Sequence, residues 1–557
     1  MKHYKKKHLF FTAASIMLIG VVFFGFRFFE GDYFFKINKS IELYGRVYKE
    51  IAINYVDELD PEKFMHSGID GMLDGLDPYT NFYEEKEGDQ IELITSGKYA
   101  GVGISISFRD EKVIITSLMD GYSAQRQGLQ PGDCILEVDG KPVSGMKGDQ
   151  VRMLTRGEPG TEVHMKIERE DEKEPLNFVL VREEIRLKNV TYADYIDTGI
   201  GYIKLERFSR SAGDEFRIAL KDLKLKGTLK GLIIDLRDNP GGLLEAATDI
   251  VEKFVPNKSV IVTTRGRKAE TERKYASEEE PMIPDIPLVV LVNKGSASAS
   301  EIVAGALQDL DRAVIVGTRS FGKGLVQTIV PLAYGAQLKM TTAKYYTPSG
   351  RCIQEIDYMH KDKVGMFNIT PDSLRQKFKT KNGRVVSELG GILPDTVVPD
   401  MEQTALFREL VRRSVFFRFA NRFVSGRKDS TLPGNNELIK QFSTFLDSTH
   451  FIYKNDAEKK LAELDTIAIN SKYSKALRDE IGLMEKKIAE EKKDDLSKNR
   501  NQILRSLRRE IMSRYKGETG RIAASLIDDD QIKVAEEVLG NNRQYKQILA
   551  TADEENR

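Results

Sequence analysis

The sequence predicts an α/β protein of several domains, and three observations carry that prediction. Two apolar runs, Leu232-Ile233-Ile234 and Leu288-Val289-Val290-Leu291-Val292, each pass through a turn of small polar residues into a helical pattern. Such runs suit strands buried on both faces, with helices packed on the sheet. Between about 97 and 185 the pattern changes to short alternating strands with glycine turns, and beyond about 400 it becomes helical. At 557 residues the chain also exceeds the size at which one core stops growing.

Composition narrows the function classes. With 85 basic and 85 acidic residues the formal net charge is zero, which argues against a nucleic-acid partner. Two cysteines, Cys134 and Cys352, are too few for a disulfide framework or a zinc cluster, although they suffice for one bridge. The six histidines are scattered and no His-Glu-x-x-His occurs, so a zincin is excluded. No metal or cofactor is called for.

The chain opens with Lys2, Lys5, Lys6 and Lys7, followed by an uncharged run from Leu9 to Phe26. That run is about long enough to cross a bilayer. No small-residue cleavage site follows; the exit is Phe26-Arg27-Phe28-Phe29. An uncleaved anchor over 1–35 is therefore favoured over a cleaved secretory signal. The lysines mark the cytoplasmic side, so the body is expected outside the cytoplasm, anchored to the inner membrane. In a two-membrane bacterium that means the periplasm.

Residues 36–96 read as helical. Ile41, Tyr44, Val47, Tyr48, Ile51 and Tyr55 recur at helical spacing, and Asp60-Pro61-Glu62 is a helix start. Ile69, Met72, Leu73 and Leu76 form a stripe expected to pack, ended by Asp77-Pro78.

In 97–185, Gly101-Val102-Gly103-Ile104 opens an alternating strand, Val113-Ile114-Ile115 is a second, and Ile135-Leu136-Glu137-Val138 runs into the hairpin turn Asp139-Gly140. Together with Gly128-Leu129-Gln130-Pro131-Gly132-Asp133, this stretch resembles a PDZ domain. Glycines at 101 and 103 let successive N–H groups face one concavity able to hold a carboxylate, and the following strand can pair with an incoming peptide. Gly101, Val102, Gly103 and Ile104 are thus candidate substrate-binding residues for a free protein C-terminus.

From 186 to 400 the α/β core is expected. Its first buried strand ends in Arg237-Asp238-Asn239-Pro240-Gly241-Gly242, a turn suited to close approach of backbone to a ligand. Its second leads into Gly295-Ser296-Ala297-Ser298-Ala299-Ser300-Glu301 at a helix start, where free N–H groups and the helix dipole favour a developing oxyanion. Ser298 three residues before Glu301 also fits a plain capping box. Downstream, Lys323 lies between Gly322 and Gly324. A lysine taken out of water loses its proton more readily and becomes a general base. Gln327, four residues on, shares its face.

Asn293-Lys294-Gly295 through Glu301, followed by Phe321-Gly322-Lys323-Gly324-x-x-Gln327, resembles the carboxy-terminal processing proteases, tail-specific Ser-Lys peptidases. The resemblance implies a crotonase-like core with the PDZ domain inserted. It also implies Ser298 as nucleophile, Lys323 as base and Gln327 as its support. For the oxyanion hole it implies backbone N–H of Gly241 or Gly242 with that of Ala299. The local sequence itself does not choose Ser298 over Ser296 or Ser300. Residue types alone leave a Ser-His-Asp triad open, with His360 the histidine nearest the core.

The tail, 401–557, reads as a helical domain, from Leu406, Leu410 and Val411 to Ile503, Leu504, Leu507, Ile511 and Tyr515. Dimerisation arm, partner surface and lid all remain open for it. The expected function is a serine endopeptidase that recognises substrate C-termini through its PDZ domain and processes extracytoplasmic proteins. The alternative is an inactive PDZ scaffold.

Overall fold

The computed structural model describes residues 32–550, apart from 110, 171, 362–366 and 428. The apolar run Leu9–Phe26 lies outside the described residues. Among the described residues no helix is long and apolar enough to cross a membrane.

The chain divides into two units, residues 1–82 and 83–557. The first holds helix α1 (32–54) and helix α2 (Pro61–Leu73). The expected start of α2 is present: the Asp60 carboxylate accepts from the N–H groups of Glu62 and Lys63 at 3.0 and 3.2 Å. Tyr48 stacks on Phe64 and donates its hydroxyl to the Pro61 carbonyl. The stripe on α2 does not pack as expected. No residue of α2 is buried, and Met72 stays exposed.

The second unit begins with α3 (Gly88–Ser96) and β1 (Lys98–Gly101). A six-stranded antiparallel sheet follows: β2 (Ile104–Arg109), β3 (Lys112–Leu118), β4 (Cys134–Val138), β5 (Glu162–Glu168) and β6 (Leu176–Val181) lie in that order, and the short strand Lys141–Pro142 pairs with β4 off this path. Helices α4 (Ser123–Arg126) and α5 (Gly148–Thr155) accompany it, and Val102, Ile115, Ala124, Val151 and Met165 are among its core residues. Asp139 and Gly140 both take positive φ, 48° and 74°, as the hairpin turn requires. Strand β2 lies at one edge of this sheet. Strand β7 (Glu183–Arg186) pairs back with β1 and closes the domain at its root.

The core sheet has the order β8 (Val190–Asp197), β9 (Ile200–Leu205), β10 (Gly231–Asp235), β13 (Leu288–Val292), β14 (Val314–Gly317) and β17 (Thr396–Val397). All its pairings are parallel except β8 with β9. Helices α6 (Ala212–Lys226), α7 (Leu244–Glu252) and α8 (Ala299–Asp309) cover one face. Along β13, Leu288, Val290 and Val292 point into that layer, while Val289 and Leu291 point into another. This two-sided burial is what the unbroken apolar run requires. Beside the core, β15 (Leu325–Pro331), β16 (Gln337–Tyr346), β11 (Val260–Gly266) and β12 (Arg273–Ala276) form a second sheet.

The opposite face of the core sheet is covered from the end of the chain. Helices α9 (Ala405–Arg412), α10 (Val415–Val424), α11 (Asn435–Ser448) and the first half of α14 (Arg500–Leu526) build their own phenylalanine-rich core. Between them, α12 (Asp456–Asn470) and α13 (Lys475–Glu491) pair with few buried residues. Helix α14 bends at Lys516 and Gly517, which leave helical geometry. Past the bend, Ile522 joins α15 (Asp530–Gly540) and α16 (Asn542–Leu549) against Tyr202, Ile233, Val289 and Val314. The Tyr545 hydroxyl donates to the Arg312 carbonyl and accepts the Leu288 N–H. The tail is helical, as expected, and part of it packs on the core sheet. Its last turns are the second outer layer of the α/β core.

Ile532→Ala on α15 is accordingly expected to destabilise the peptidase core by about 2–5 kcal/mol, the range for a buried large-to-small change. Denaturant unfolding followed by a probe in the core sheet checks this; a core transition that stays put would mean that the tail folds independently.

Candidate functional site

Two turns at the carboxyl ends of adjacent parallel strands meet. Asn293, after β13, accepts the N–H groups of Asp238 and Gly295 on its Oδ1, each at 2.9 Å, and donates Nδ2 to the Asp238 carboxylate at 2.9 Å. Asn239, after β10, is fully buried. It accepts the Gly241 N–H at 2.9 Å and donates to the Leu205 carbonyl at 2.8 Å. Gly241 has φ 98°, and a Cβ there would lie 2.6 Å from the Ala297 carbonyl oxygen and 2.8 Å from Ser298 Cβ. Only glycine lets these backbones come so close.

The three serines of the hydroxyl-rich turn separate by environment. Ser296 donates to the Leu236 carbonyl at 2.8 Å, and Ser300 to the Asn239 carbonyl at 2.9 Å; both are fully buried. Their hydroxyls are consumed in stitching the turns together. Ser298 is half-buried and faces a cavity of about 400 Å³. Its φ of 56° and ψ of −114° are strained for a residue with a Cβ, an arrangement found where a side chain must be presented at a strand-to-helix turn.

The same cavity is lined by Lys323, Gln327, Gly241, Gly242, Tyr345 and Arg207. Sequence positions far apart are thus brought together: the turn after β10, the start of α8, and the loop before β15. Gln327 on β15 donates Nε2 to Thr341 Oγ1 at 3.2 Å. The N–H of Ala299, at the first turn of α8, lies 2.9 Å from where a Gly241 Cβ would be. Of the two glycines implied as oxyanion donors, Gly241 has its N–H engaged by the Asn239 side chain.

His360 does not line the cavity. It is 75 % exposed and pairs with Asp357, with Nδ1 to Oδ2 at 2.8 Å. Cys134 and Cys352 are both buried and free, and burial raises both thiols. The one bridge that two cysteines would allow does not form. Among the described residues no group of three or more His, Cys, Asp or Glu side chains is arranged to hold a metal ion. The Gly101–Ile104 loop belongs to the β2 edge and not to this cavity. There the Val102 and Gly103 carbonyls are tied to Ala124 and Met119, and Gly103 has φ 82°.

Known proteins bear on this arrangement. Residues 199–372 match the model for peptidase family S41, 114–169 that for the PDZ domain, and 406–539 that for the C-terminal helical domain of a probable PDZ-protease. A carboxy-terminal-processing protease from Bartonella bacilliformis is 39 % identical over 57 % of this chain and 73 % of its own length. The chain belongs to the carboxy-terminal-processing protease family. Another relative, the carboxyl-terminal-processing protease of a Synechocystis species, is 37 % identical over 54 % of this chain and 70 % of its own. Among solved structures, a photosystem II D1 C-terminal processing protease is 26 % identical, covering 63 % of this chain and 85 % of that one with a TM-score of 0.36.

For a carboxy-terminal-processing protease, the residue that local sequence undervalued is Glu301. It reads as a helix cap, and the cap is there: its Oε2 accepts the Ser298 N–H at 2.8 Å. The same carboxyl also accepts the Lys323 N–H at 2.9 Å, the Gly322 N–H at 2.7 Å and the Ser320 hydroxyl at 2.5 Å. Nothing in the linear spacing of Glu301 from Gly322 signals this. Tyr345 was equally hidden; its buried hydroxyl donates to the Ser298 carbonyl at 3.1 Å.

Burial raises the Glu301 carboxyl from 4.5 to about 7, although all four donors pull it down. Between those values the folded chain holds a proton that the unfolded chain has released. The contribution of this group to stability therefore declines as pH rises through that window. Glu301→Gln is expected to flatten that decline, read from urea unfolding across the same window. It is also expected to cost about 1–3 kcal/mol for each N–H left facing the amide. An unchanged slope would assign the proton to another group.

Proposed function

We propose that the chain is a serine endopeptidase with Ser298 as nucleophile and Lys323 as general base. The observation that carries this reading is the opening of Ser298 and Lys323 onto one cavity while the neighbouring serines are spent on backbone carbonyls. Lys323 Nζ takes the hydroxyl proton as Ser298 Oγ attacks the peptide carbonyl. The carbonyl electron pair moves to oxygen, which the N–H groups of Ala299 and Gly242 hold. Collapse expels the amine, and the proton passes to it from Lys323. Water then attacks the acyl ester with Lys323 again as base, releasing the new C-terminus. Gln327 bounds the cavity beside the base and limits where the amine can sit.

A crotonase-like ancestry of the core accords with its parallel sheet and flanking helices. Substrates are proteins with free C-termini, caught at Gly101–Ile104 and paired along the β2 edge. The lysine-flanked apolar run near the start makes these extracytoplasmic substrates of a membrane-anchored, periplasmic enzyme.

Cleavage of an unstructured, tailed protein is the test. Ser298→Ala is expected to lower kcat on the order of 10⁶-fold, as for loss of a nucleophile. Lys323→Arg replaces the amine with a permanently protonated guanidinium that cannot accept the proton, and is expected to lose on the order of 10²–10⁴-fold. Equal cleavage by Ser298→Ala and the parent would leave an inactive tail-binding scaffold. Gly241→Ala should displace the Ser298 turn and cost roughly a hundredfold in kcat with an unchanged KM.

A further inference from the structure

The cavity beside Ser298 is lined by three cations, Arg207, Lys323 and Lys339, and by no carboxylate. Lys323 is used by the proposed chemistry. Lys339 sits over the Tyr83 ring, 5.7 Å from its centroid. Arg207, on the loop that leaves β9, has no role in the steps above.

Its surroundings are unusual for an arginine. The Nε is buried and has no hydrogen-bond partner. Among the described residues, no hydrogen bond or ion pair engages the rest of the guanidinium. Burial lowers its proton affinity, while Glu206, Glu215 and Tyr99 act the other way from a distance. Neither carboxylate forms a hydrogen bond or ion pair with it among the described residues. Glu215 accepts from Asn189, Val190 and Ser211, and Glu206 faces Arg521 at 4.0 Å. A buried guanidinium N–H without an acceptor is costly to the free protein, and a ligand carboxylate that spans Nε and a terminal nitrogen relieves that cost with two parallel hydrogen bonds. Apolar residues Ile94, Phe208, Leu325 and Ile329 line the same cavity, and a peptide seated against them would displace water and strengthen such a pair.

We propose that Arg207 reads a carboxylate of the bound peptide and makes the site selective for an acidic group near the bond to be cut. This rests on the peptidase reading above. The carboxylate has two sources of the same chemistry: an Asp or Glu side chain flanking the bond, or the C-terminus of the substrate when the cut falls close to its end.

The test uses the full chain and fluorogenic peptides that share one apolar tail. One arm exchanges Glu for Gln at each position flanking the cleaved bond. The other exchanges a free C-terminus for its amide. The parent is expected to favour the carboxylate member of one arm by about tenfold in kcat/KM, mainly through KM. Arg207→Met should bring that ratio near one, and Arg207→Lys should keep part of it. The arm that responds names the source. Each ratio is taken within one protein, so partial misfolding of a variant does not alter it. Weaker capture of an amidated tail by the PDZ domain affects parent and variant alike, so only the Arg207-dependent part counts. A parent that discriminates in neither arm, or a preference that survives Arg207→Met, overturns the proposal. If Ser298→Ala cleaves as well as the parent, the peptidase reading itself fails; Ser298-dependent cleavage indifferent to Arg207 removes only the carboxylate reading.

Discussion

Glu301 is fully enclosed, and both its oxygens are occupied by donors from two separated stretches of chain. One stretch is the turn that presents Ser298; the other is the loop that carries Lys323. The side chains that face the cavity thus hang from backbone held by one carboxyl group. A lone buried carboxylate costs far more than any single hydrogen bond returns, so all its donors must be in place together. Its position in the first turn of α8 adds the favourable field of the helix dipole. The balance still favours protonation up to about 7. Anything that shifts either stretch of backbone is felt at once by the other.

The turn after β10 is anchored in the same way, from farther off. Burial alone would raise the Asp235 carboxyl, but Arg237 and Lys204 hold it well below the usual range. Arg237 pairs with Asp235 at 2.6 Å and with Asp529 at 2.9 Å, and Tyr202 donates to Asp235 at 2.7 Å. Asp529 caps α15 by accepting from Gln531 and Ile532. The last part of the chain thus grips Arg237, the first residue of the turn that runs to Gly241 and Gly242. Buried ionic clusters are weak evidence of net stability, because desolvation offsets much of the attraction. Their value here is geometric: Arg237 cannot turn away without both Asp235 and Asp529 losing a partner.

Local chemistry fixed much of this protein before folding was considered. The apolar runs at 232–234 and 288–292 had to be strands covered on both sides, because no polar residue interrupts them. The Asp139-Gly140 hairpin and the Asp60 cap followed from backbone preferences a few residues long. The motifs around Ser298 and Lys323 carried the family. Each of these signals spans a handful of neighbours, which is the range over which φ/ψ preference and side-chain spacing act.

Folding decided the rest. The sequence offers three serines in near-identical settings, and only the carbonyls of Leu236 and Asn239, some sixty residues earlier, separate Ser298 from the other two. Asn239 likewise engages the N–H of Gly241, one of the two implied donors. The double role of Glu301, the unmatched guanidinium of Arg207 and the return of α15 and α16 to the core sheet have no signature in linear spacing. Hydrogen bonding and burial depend on which distant groups arrive at the same place, and proximity of that kind exists only after the chain has closed on itself.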